Sequence, residues 1–216
     1  MFEHIFFDLD GTLTKSEFGI VDSVEYALEK FGIRENDRES LKRFIGPPLY
    51  NSFRDYYGFD DEQAEKAVSL YREFYVSEGL YRTPLYDGIR ECLEALCRDH
   101  SLYIVTAKPE QTANIIVDNL KIRTYLTAVV GPDPVKKDYD KSGLIRRALT
   151  EHNIEDKSSV VMVGDREYDI LGAKECWISS VGVLYGYGTR QELTRAGADM
   201  LAGSVDELKE LLISDF

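Results

Sequence analysis

The sequence contains little of what disulfide-stapled, zinc-binding or membrane proteins need. Only three cysteines and three histidines occur among 216 residues, and the odd number of thiols suits neither a disulfide framework nor a zinc site. No apolar run approaches the length of a membrane span. We therefore interpret the cysteines as reduced core thiols and expect a soluble protein of the cytoplasm.

Positive charge is also scarce, because the chain has 39 acidic residues and only 26 basic ones, which gives a formal charge of −13. Such a balance repels nucleic acid polymers and anionic membranes, so neither is expected as a partner. An anionic small molecule remains possible only where a metal and a few basic side chains make a local positive site. With 44% hydrophobic residues, the chain suffices for one core domain plus a small insertion.

Residues 15–82 have the pattern of an all-helical insertion. Ile20, Val24 and Ala27 recur at helical spacing, and Gly32 supplies a stop. Asp60 is a good N-cap for the last helix. The pattern predicts four helices, which are one ending near Phe31, one over Arg38–Ile45, one over Leu49–Tyr57 and one beginning at Asp60.

The rest of the chain, residues 1–14 and 83–216, alternates short apolar strands with amphipathic helices. This alternation predicts an α/β domain whose parallel sheet is covered by helices on both faces. The insertion then interrupts the first strand-to-helix connection. The predicted strands are Ile5–Phe7, Leu102–Val105, Ala128–Val130, Val160–Val163, Ser180–Leu184 and a short one near Met200.

Two carboxylates, Asp8 and Asp10, end the first strand directly before Gly11. Side chains alternate along an extended backbone, so both acids are expected to face the same pocket at the rim of the sheet. Two anions that close raise each other's pKa unless a cation lies between them. The pair therefore predicts a bound metal, a shuttled proton or both, whereas an Asp-X-Asp in isolation also fits an ordinary solvated turn.

Polar residues also follow other core strands. Thr106 stands before a helix start, where it either binds phosphate or merely caps the helix while Lys108 is solvated. Asp165 and Asp169 follow another strand and are expected at the same rim as Asp8, although an early acid also simply favours a helix dipole. Between Thr106 and Asp165 lies a loop with three lysines, any one of which could bind a phosphate. We prefer Lys141 to Lys136 and Lys137.

Together these motifs resemble the haloacid dehalogenase superfamily, in particular its phosphatases with a helical cap, the phosphoglycolate phosphatase-like and 5'-nucleotidase-like enzymes. The similarity covers nearly the whole chain and implies a Rossmann-like core. The four matching motifs are Asp8-Leu9-Asp10-Gly11-Thr12, Thr106, Lys141, and Gly164-Asp165 with Asp169. Two departures are Ala107, where many relatives carry Ser or Asn, and the lack of a Lys-Pro-X-Pro lysine motif.

The resemblance implies a Mg²⁺-dependent phosphatase acting on a small phosphorylated metabolite such as phosphoglycolate or a nucleoside 5'-monophosphate. Asp8 is implied as the nucleophile and Asp10 as the general acid and base. Phosphoryl oxygens are implied to bind Thr106, Lys141 and the backbone of Leu9, Asp10 and Ala107. The implied metal ligands are Asp8, Asp10 through its backbone carbonyl, Asp165 and Asp169.

The helical insertion is expected to act as a lid that selects the leaving group, with Arg43 and Gly46 as substrate contacts. Ile45–Leu49 is similar to the cap loop of the phosphoglycolate phosphatase group. A β-phosphoglucomutase-like enzyme is an alternative, but it needs a base in the insertion, which contains no histidine. A catalytically silent binding protein is a further alternative that the full set of acids disfavours. Dehalogenation is disfavoured because Asp10 and the metal acids serve phosphoryl transfer.

Overall fold

The computed structural model describes residues 2–132 and 140–213, and the chain divides into two units. One unit consists of Met1–Thr14 with Leu85–Phe216, and the other is Lys15–Pro84. The helical segment is thus inserted into the first connection of the larger unit. The candidate lysines Lys136 and Lys137 lie outside the described residues.

The helical unit contains α1 (Glu17–Lys30), α2 (Leu49–Tyr57) and α3 (Asp61–Ser77). Asp60 caps α3 in a reciprocal capping box, because its carboxylate accepts the Gln63 N–H at 2.8 Å while the Gln63 side chain accepts the Asp60 N–H at 3.1 Å. Helix α1 approaches the segment after α3 so closely that a Cβ on Gly19 would lie 2.1 Å from the Gly79 carbonyl oxygen. Only glycine permits this approach.

The predicted helix over Arg38–Ile45 is a 3₁₀ helix, Arg38–Phe44, rather than an α-helix. Ile45 is extended, and the Pro47-Pro48 pair that follows offers no backbone N–H with which a helix could continue. Short 3₁₀ pieces are usual in such connections. Leu41 and Phe44 of this 3₁₀ helix are buried.

The larger unit contains a six-stranded sheet in the order β3-β2-β1-β4-β5-β6, and every neighbouring pair is parallel, as predicted. The first strand is therefore central. The chain order reverses between β1 and β4, which is where open α/β sheets bind ligands. The strands are β1 (His4–Phe7), β2 (Ser101–Val105), β3 (Ala128–Val130), β4 (Val160–Gly164), β5 (Ser179–Val183) and β6 (Met200–Ala202).

Six helices accompany the sheet in the described part of this unit. They are α4 (Ile89–Leu96), α5 (Glu110–Asn119), α6 (Lys141–Glu151), α7 (Glu167–Cys176), α8 (Arg190–Ala196) and α9 (Val205–Ile213). On one face of the sheet, Phe6, Tyr103 and Met162 pack with Leu144 and Ile145 of α6. All five side chains are buried, and the strands are mostly apolar, which is typical of parallel sheets covered on both sides.

The cysteines are free, with Cys92 and Cys176 buried and Cys97 partly buried. Burial raises the pKa of the Cys92 thiol to about 12, so that thiol stays protonated at neutral pH. This agrees with the interpretation of the cysteines as core residues, whereas a reducing compartment stays a prediction. Among the described residues, no helix has the length and apolar character needed to cross a membrane.

Replacing the N-cap of α3 is expected to destabilise the protein. In Asp60→Ala the Gln63 N–H loses its acceptor, which costs about 1 kcal/mol for a typical N-cap. Asp60→Asn, which retains a side-chain acceptor, is the matched control and should lose only a fraction of that. Urea denaturation followed by circular dichroism measures both variants, and equal stabilities of the two would contradict the capping role.

Candidate active site

The carboxyl ends of the three central strands bring the predicted residues together. Asp8 follows β1 and donates its N–H to the Val163 carbonyl of β4 at 2.9 Å. Thr106 follows β2 and donates its N–H to the Val130 carbonyl at 3.0 Å. Because parallel strands end at the same edge, residues distant in sequence meet at one crevice beside β1.

Three acids form a cluster at this edge. Oxygens of Asp8, Asp165 and Asp169 all lie within 4.8 Å of one another, and Asp165 and Asp169 are 0% and 2% exposed. Asp169 lies in the first turn of α7, where its Oδ2 accepts the Arg166 N–H at 3.2 Å. The Asp10 carboxylate is not part of this cluster, and the resemblance implied Asp10 as a metal ligand only through its backbone carbonyl.

Burial and mutual repulsion make the cluster costly as long as all three acids are ionised. Burial, followed by the charges of Asp169 and Asp8, raises the pKa of Asp165 well above its usual range. Burial likewise raises the pKa of Asp169, although the ammonium of Lys141 opposes the shift. A buried carboxylate stays ionised only where cations offset its charge.

Lys141 supplies one such cation. It is the first residue of α6, and its Nζ lies 2.8 Å from Asp8 Oδ1, 2.7 Å from Asp169 Oδ1 and 2.9 Å from the Val105 carbonyl oxygen. Burial alone would lower the pKa of this ammonium, but the charges of Asp169 and Asp8 outweigh burial and raise it. Asp140 fixes the start of α6 by accepting the Gly143 N–H at 2.8 Å.

Thr106 is buried and does not cap α5. The helix begins at Glu110 with Pro109 in the N-cap position and no side-chain cap. The Thr106 Oγ1 instead accepts the Lys108 N–H at 3.2 Å. The alternative that Thr106 is merely an N-cap is therefore wrong. Backbone N–H groups of Leu9 and Ala107 are also expected to bind phosphate. Leu9 is buried and Ala107 is exposed.

Lys108 was not among the predicted site residues, and it entered only as a solvated side chain in the alternative that Thr106 caps the helix. The side chain is only 7% exposed, and its Nζ lies 2.9 Å from Asp10 Oδ2. A lysine two residues after the strand-end Thr106 had the required position, but many lysines at such places point to solvent. The described part of the site thus contains two buried lysines, each paired with a different acid of the first motif.

The loop after β5 was also missed, although it encloses Asp165. The Tyr187 N–H donates to Asp165 Oδ2 at 2.8 Å. A Cβ on Gly186 would lie 2.3 Å from the Asp165 Cβ and 2.4 Å from the Gly11 carbonyl oxygen, so this backbone touches the acid directly. The run Tyr185-Gly186-Tyr187-Gly188 directly after a strand was the available signal, since paired glycines indicate close backbone approach.

The proposed substrate contacts Arg43 and Gly46 lie in the helical unit. The Arg43 guanidinium stands over the Tyr56 ring, with its carbon 4.3 Å from the ring centroid. Gly46 is exposed and has a φ of 103°, in the left-handed region that favours glycine. Arg43 therefore belongs to the 3₁₀ helix, and Gly46 to the connection between that helix and α2.

Comparison with known proteins shows the family. A family model described as haloacid dehalogenase-like hydrolase matches residues 5–183, which run from the second residue of β1 to the end of β5 and include both acids of the first motif, both lysines, Thr106, Asp165 and Asp169. The chain belongs to the haloacid dehalogenase-like hydrolases. Its relatives support the class of reaction, and the chain is accordingly a phosphatase of this family.

Three relatives show the extent of the similarity. A 5'-nucleotidase of Pseudomonas aeruginosa is 38% identical, over 99% of this chain and 96% of that protein. The tyrosine-protein kinase PtkA of Mycobacterium tuberculosis is 32% identical, over 96% of this chain and 72% of that protein. A structure of a predicted phosphatase from Clostridium acetobutylicum is 40% identical and superposes with a TM-score of 0.92, covering 99% of both chains.

The acid cluster suits the metal that this family generally uses. Its ligand groups are all carboxylates, and hard oxygen donors favour Mg²⁺ or Ca²⁺ over zinc. Within residues 2–132 and 140–213, one lysine, Lys141, faces Asp8 and Asp169, so these three acids carry more negative charge than that lysine offsets. A divalent cation at the cluster would remove this excess. The residues therefore fit a magnesium ion.

Removing one acid from the cluster is expected to stabilise the metal-free protein. The pKa of Asp165 in the folded state is raised above the unfolded value of about 3.9. The contribution of Asp165 to stability is therefore fully present below about pH 4, where the carboxyl is protonated in both states. That contribution is lost as pH rises through the folded-state pKa. In EDTA at pH 7.5, Asp165→Asn should raise the melting midpoint by about 2–4 °C for each kcal/mol recovered.

The same melting experiment tests the metal site. Addition of MgCl₂ should raise the midpoint of the wild-type protein and leave that of Asp165→Asn nearly unchanged. Asp55→Asn, which alters an exposed acid of the helical unit, is the matched control and should behave as wild type in both conditions. A lower midpoint of Asp165→Asn in EDTA would contradict the charge-repulsion account.

Proposed function

We propose that the protein hydrolyses the phosphate monoester of a small metabolite, with nucleoside 5'-monophosphates as the preferred class, through a phosphorylated Asp8. The observation that carries this proposal is the position of Asp8. Its carboxylate stands at the end of the central strand, beside two further buried acids and the ammonium of Lys141. This arrangement suits an anionic nucleophile that attacks an anionic phosphoryl group.

In the first step a carboxylate oxygen of Asp8 forms a bond to phosphorus while the bond from phosphorus to the ester oxygen breaks. Asp10 donates a proton to that departing oxygen. In the second step Asp10 takes a proton from water, the water oxygen bonds to phosphorus, and the bond from Asp8 to phosphorus breaks. Orthophosphate leaves and both acids return to their starting states.

The phosphoryl oxygens need donors that neutralise their charge. Lys141 is the proposed principal donor, because it already lies at Asp8 Oδ1 where the phosphoryl group must arrive. Thr106 and the backbone N–H groups of Leu9, Asp10 and Ala107 complete the proposed set on the family resemblance. Fixed donors of this kind supply much of the rate in phosphoryl transfer, since they need no reorganisation during the reaction.

Magnesium would be held by the carboxylates of Asp8, Asp165 and Asp169 together with the backbone carbonyl of Asp10. When bound, it supplies positive charge that offsets the repulsion between the acids and the phosphate. The contribution of this chain is the rigid placement of its acids. Asp169 is held by the first turn of α7 and Asp165 by the Tyr187 N–H.

The choice of substrate rests on similarity. The 5'-nucleotidase relative is similar over nearly the entire chain, which supports nucleoside 5'-monophosphates. Phosphoglycolate is the second candidate, supported by the resemblance of Ile45–Leu49 to the phosphoglycolate phosphatase loop. Arg43 and Gly46 stay proposed substrate contacts on that resemblance. A β-phosphoglucomutase-like reaction is disfavoured because the insertion contains no histidine that would relay a proton.

Removal of the nucleophile tests the reaction. The wild-type protein should release phosphate from p-nitrophenyl phosphate with MgCl₂ and lose this activity in excess EDTA. Asp8→Asn should reduce turnover to background, because an amide oxygen is a poor nucleophile toward phosphorus. Circular dichroism must show that the variant is folded. Turnover by folded Asp8→Asn near the wild-type rate would rule out Asp8 as nucleophile.

A panel of phosphate esters tests the substrate class. Initial rates with nucleoside 5'-monophosphates, phosphoglycolate and sugar phosphates are compared at equal concentration with MgCl₂. We expect the highest kcat/KM with a nucleoside 5'-monophosphate. A clear preference for phosphoglycolate would replace the first substrate class by the second, and turnover of none of the esters would contradict the proposed function.

A further inference from the structure

Two contacts hold the backbone of Lys108 in place. Its N–H donates to Thr106 Oγ1 at 3.2 Å. Its carbonyl lies against the start of the loop after β3, where a Cβ on Gly131 would be only 2.5 Å from the Lys108 oxygen. Because these two contacts hold the backbone N–H and the carbonyl of Lys108, they also set the direction of its Cα–Cβ bond.

The Lys108 side chain forms an ion pair with Asp10. The Lys108 Nζ and Asp10 Oδ2 are 2.9 Å apart, and the two side chains are 7% and 15% exposed. Ion pairs that are this well shielded from water hold their geometry more firmly than surface pairs do. The other buried lysine, Lys141, pairs with Asp8 and Asp169, so the two lysines serve different acids.

The two oxygens of Asp10 consequently differ. Oδ2 is paired with Lys108, whereas Oδ1 is buried and has no hydrogen-bond partner within residues 2–132 and 140–213. A buried carboxylate oxygen without a partner is costly, and such atoms in native proteins call for an explanation such as a catalytic role. Oδ1 therefore keeps an unused capacity to form a hydrogen bond with a group that enters the site.

We infer that Lys108 is a positioning residue, which holds Asp10 by Oδ2 so that Oδ1 faces the ester oxygen of the substrate. This inference rests on the proposed function, in which Asp10 protonates the leaving group. The proton passes from Asp10 to the ester oxygen as the bond from phosphorus to that oxygen breaks, and Lys108 itself exchanges no proton. An acid displaced by about 1 Å loses about 100-fold in rate.

Leaving groups of different basicity distinguish this role from others. p-Nitrophenolate departs readily without a proton, whereas the alkoxide of a nucleoside 5'-monophosphate needs one. Loss of a positioned general acid therefore slows alkyl esters far more than aryl esters. A lysine that binds the phosphoryl group would instead affect both esters alike, because both carry the same phosphoryl group.

The experiment measures kcat and KM of Lys108→Met for p-nitrophenyl phosphate and for a nucleoside 5'-monophosphate. We expect kcat/KM to fall about 100-fold for the alkyl ester and less than about threefold for the aryl ester. This ratio reports the first phosphoryl transfer, whereas the second step, in which Asp10 takes a proton from water, is common to both esters. Lys108→Arg retains the charge and should recover part of the alkyl activity. Lys157→Met, which alters an exposed lysine before β4, is the matched control and should behave as wild type.

A double mutant connects the effect to Asp10. In an Asp10→Asn background, Lys108→Met should cause no further selective loss on the alkyl ester, because the group that it positions is already absent. Equal losses of kcat/KM on both esters, or additive selective losses in the double mutant, would overturn the inference. If Lys108→Met does not fold, Lys108→Arg and Lys108→Gln provide the same comparison.

The failure of the inference is distinguishable from failure of the proposed function. A wild-type protein that hydrolyses neither ester in MgCl₂ overturns the proposed function and the inference together. A wild-type protein that hydrolyses both, combined with a Lys108→Met variant that loses no more on the alkyl ester than on the aryl ester, overturns the inference alone.

Discussion

The structure depends on one electrostatic constraint, which is the confinement of several carboxylates with two lysines at the end of a buried strand. Asp8, Asp165 and Asp169 lie within 4.8 Å of one another, and Lys141 stands among them. Repulsion between the acids opposes folding, so the surrounding fold must hold them against it. The apolar strands and their helices provide that support, and the repulsion makes the site receptive to cations.

The elements that hold the acids come from widely separated parts of the chain. The acids follow β1 and β4 or begin α7, and the lysines follow β2 or begin α6. Parallel topology brings these points together, because every strand ends at the same edge. The helical segment is inserted directly after the Asp8–Thr14 turn. A large insertion at this place leaves the sheet intact, since it adds to a connection and not to a strand.

Local patterns predicted much of this arrangement. The sheet, its parallel character and nearly all helices follow from alternation and periodicity, and the strand-end acids follow from their position after apolar runs. The predicted helix over Arg38–Ile45 is a 3₁₀ helix, and the Pro47-Pro48 pair that follows prevents its continuation into α2. The interpretation of Thr106 as a mere helix cap is wrong, because its hydroxyl accepts the Lys108 N–H.

The sequence by itself determined which residue types stand at the ends of which strands, because that information is local. Only the tertiary structure decided which charges meet. The pairing of Lys108 with Asp10, and of Lys141 with both Asp8 and Asp169, joins residues that are far apart in the chain. The same holds for the contact between the Tyr187 N–H and Asp165. Such contacts arise from strand order and register, and no local pattern of amino acids records them.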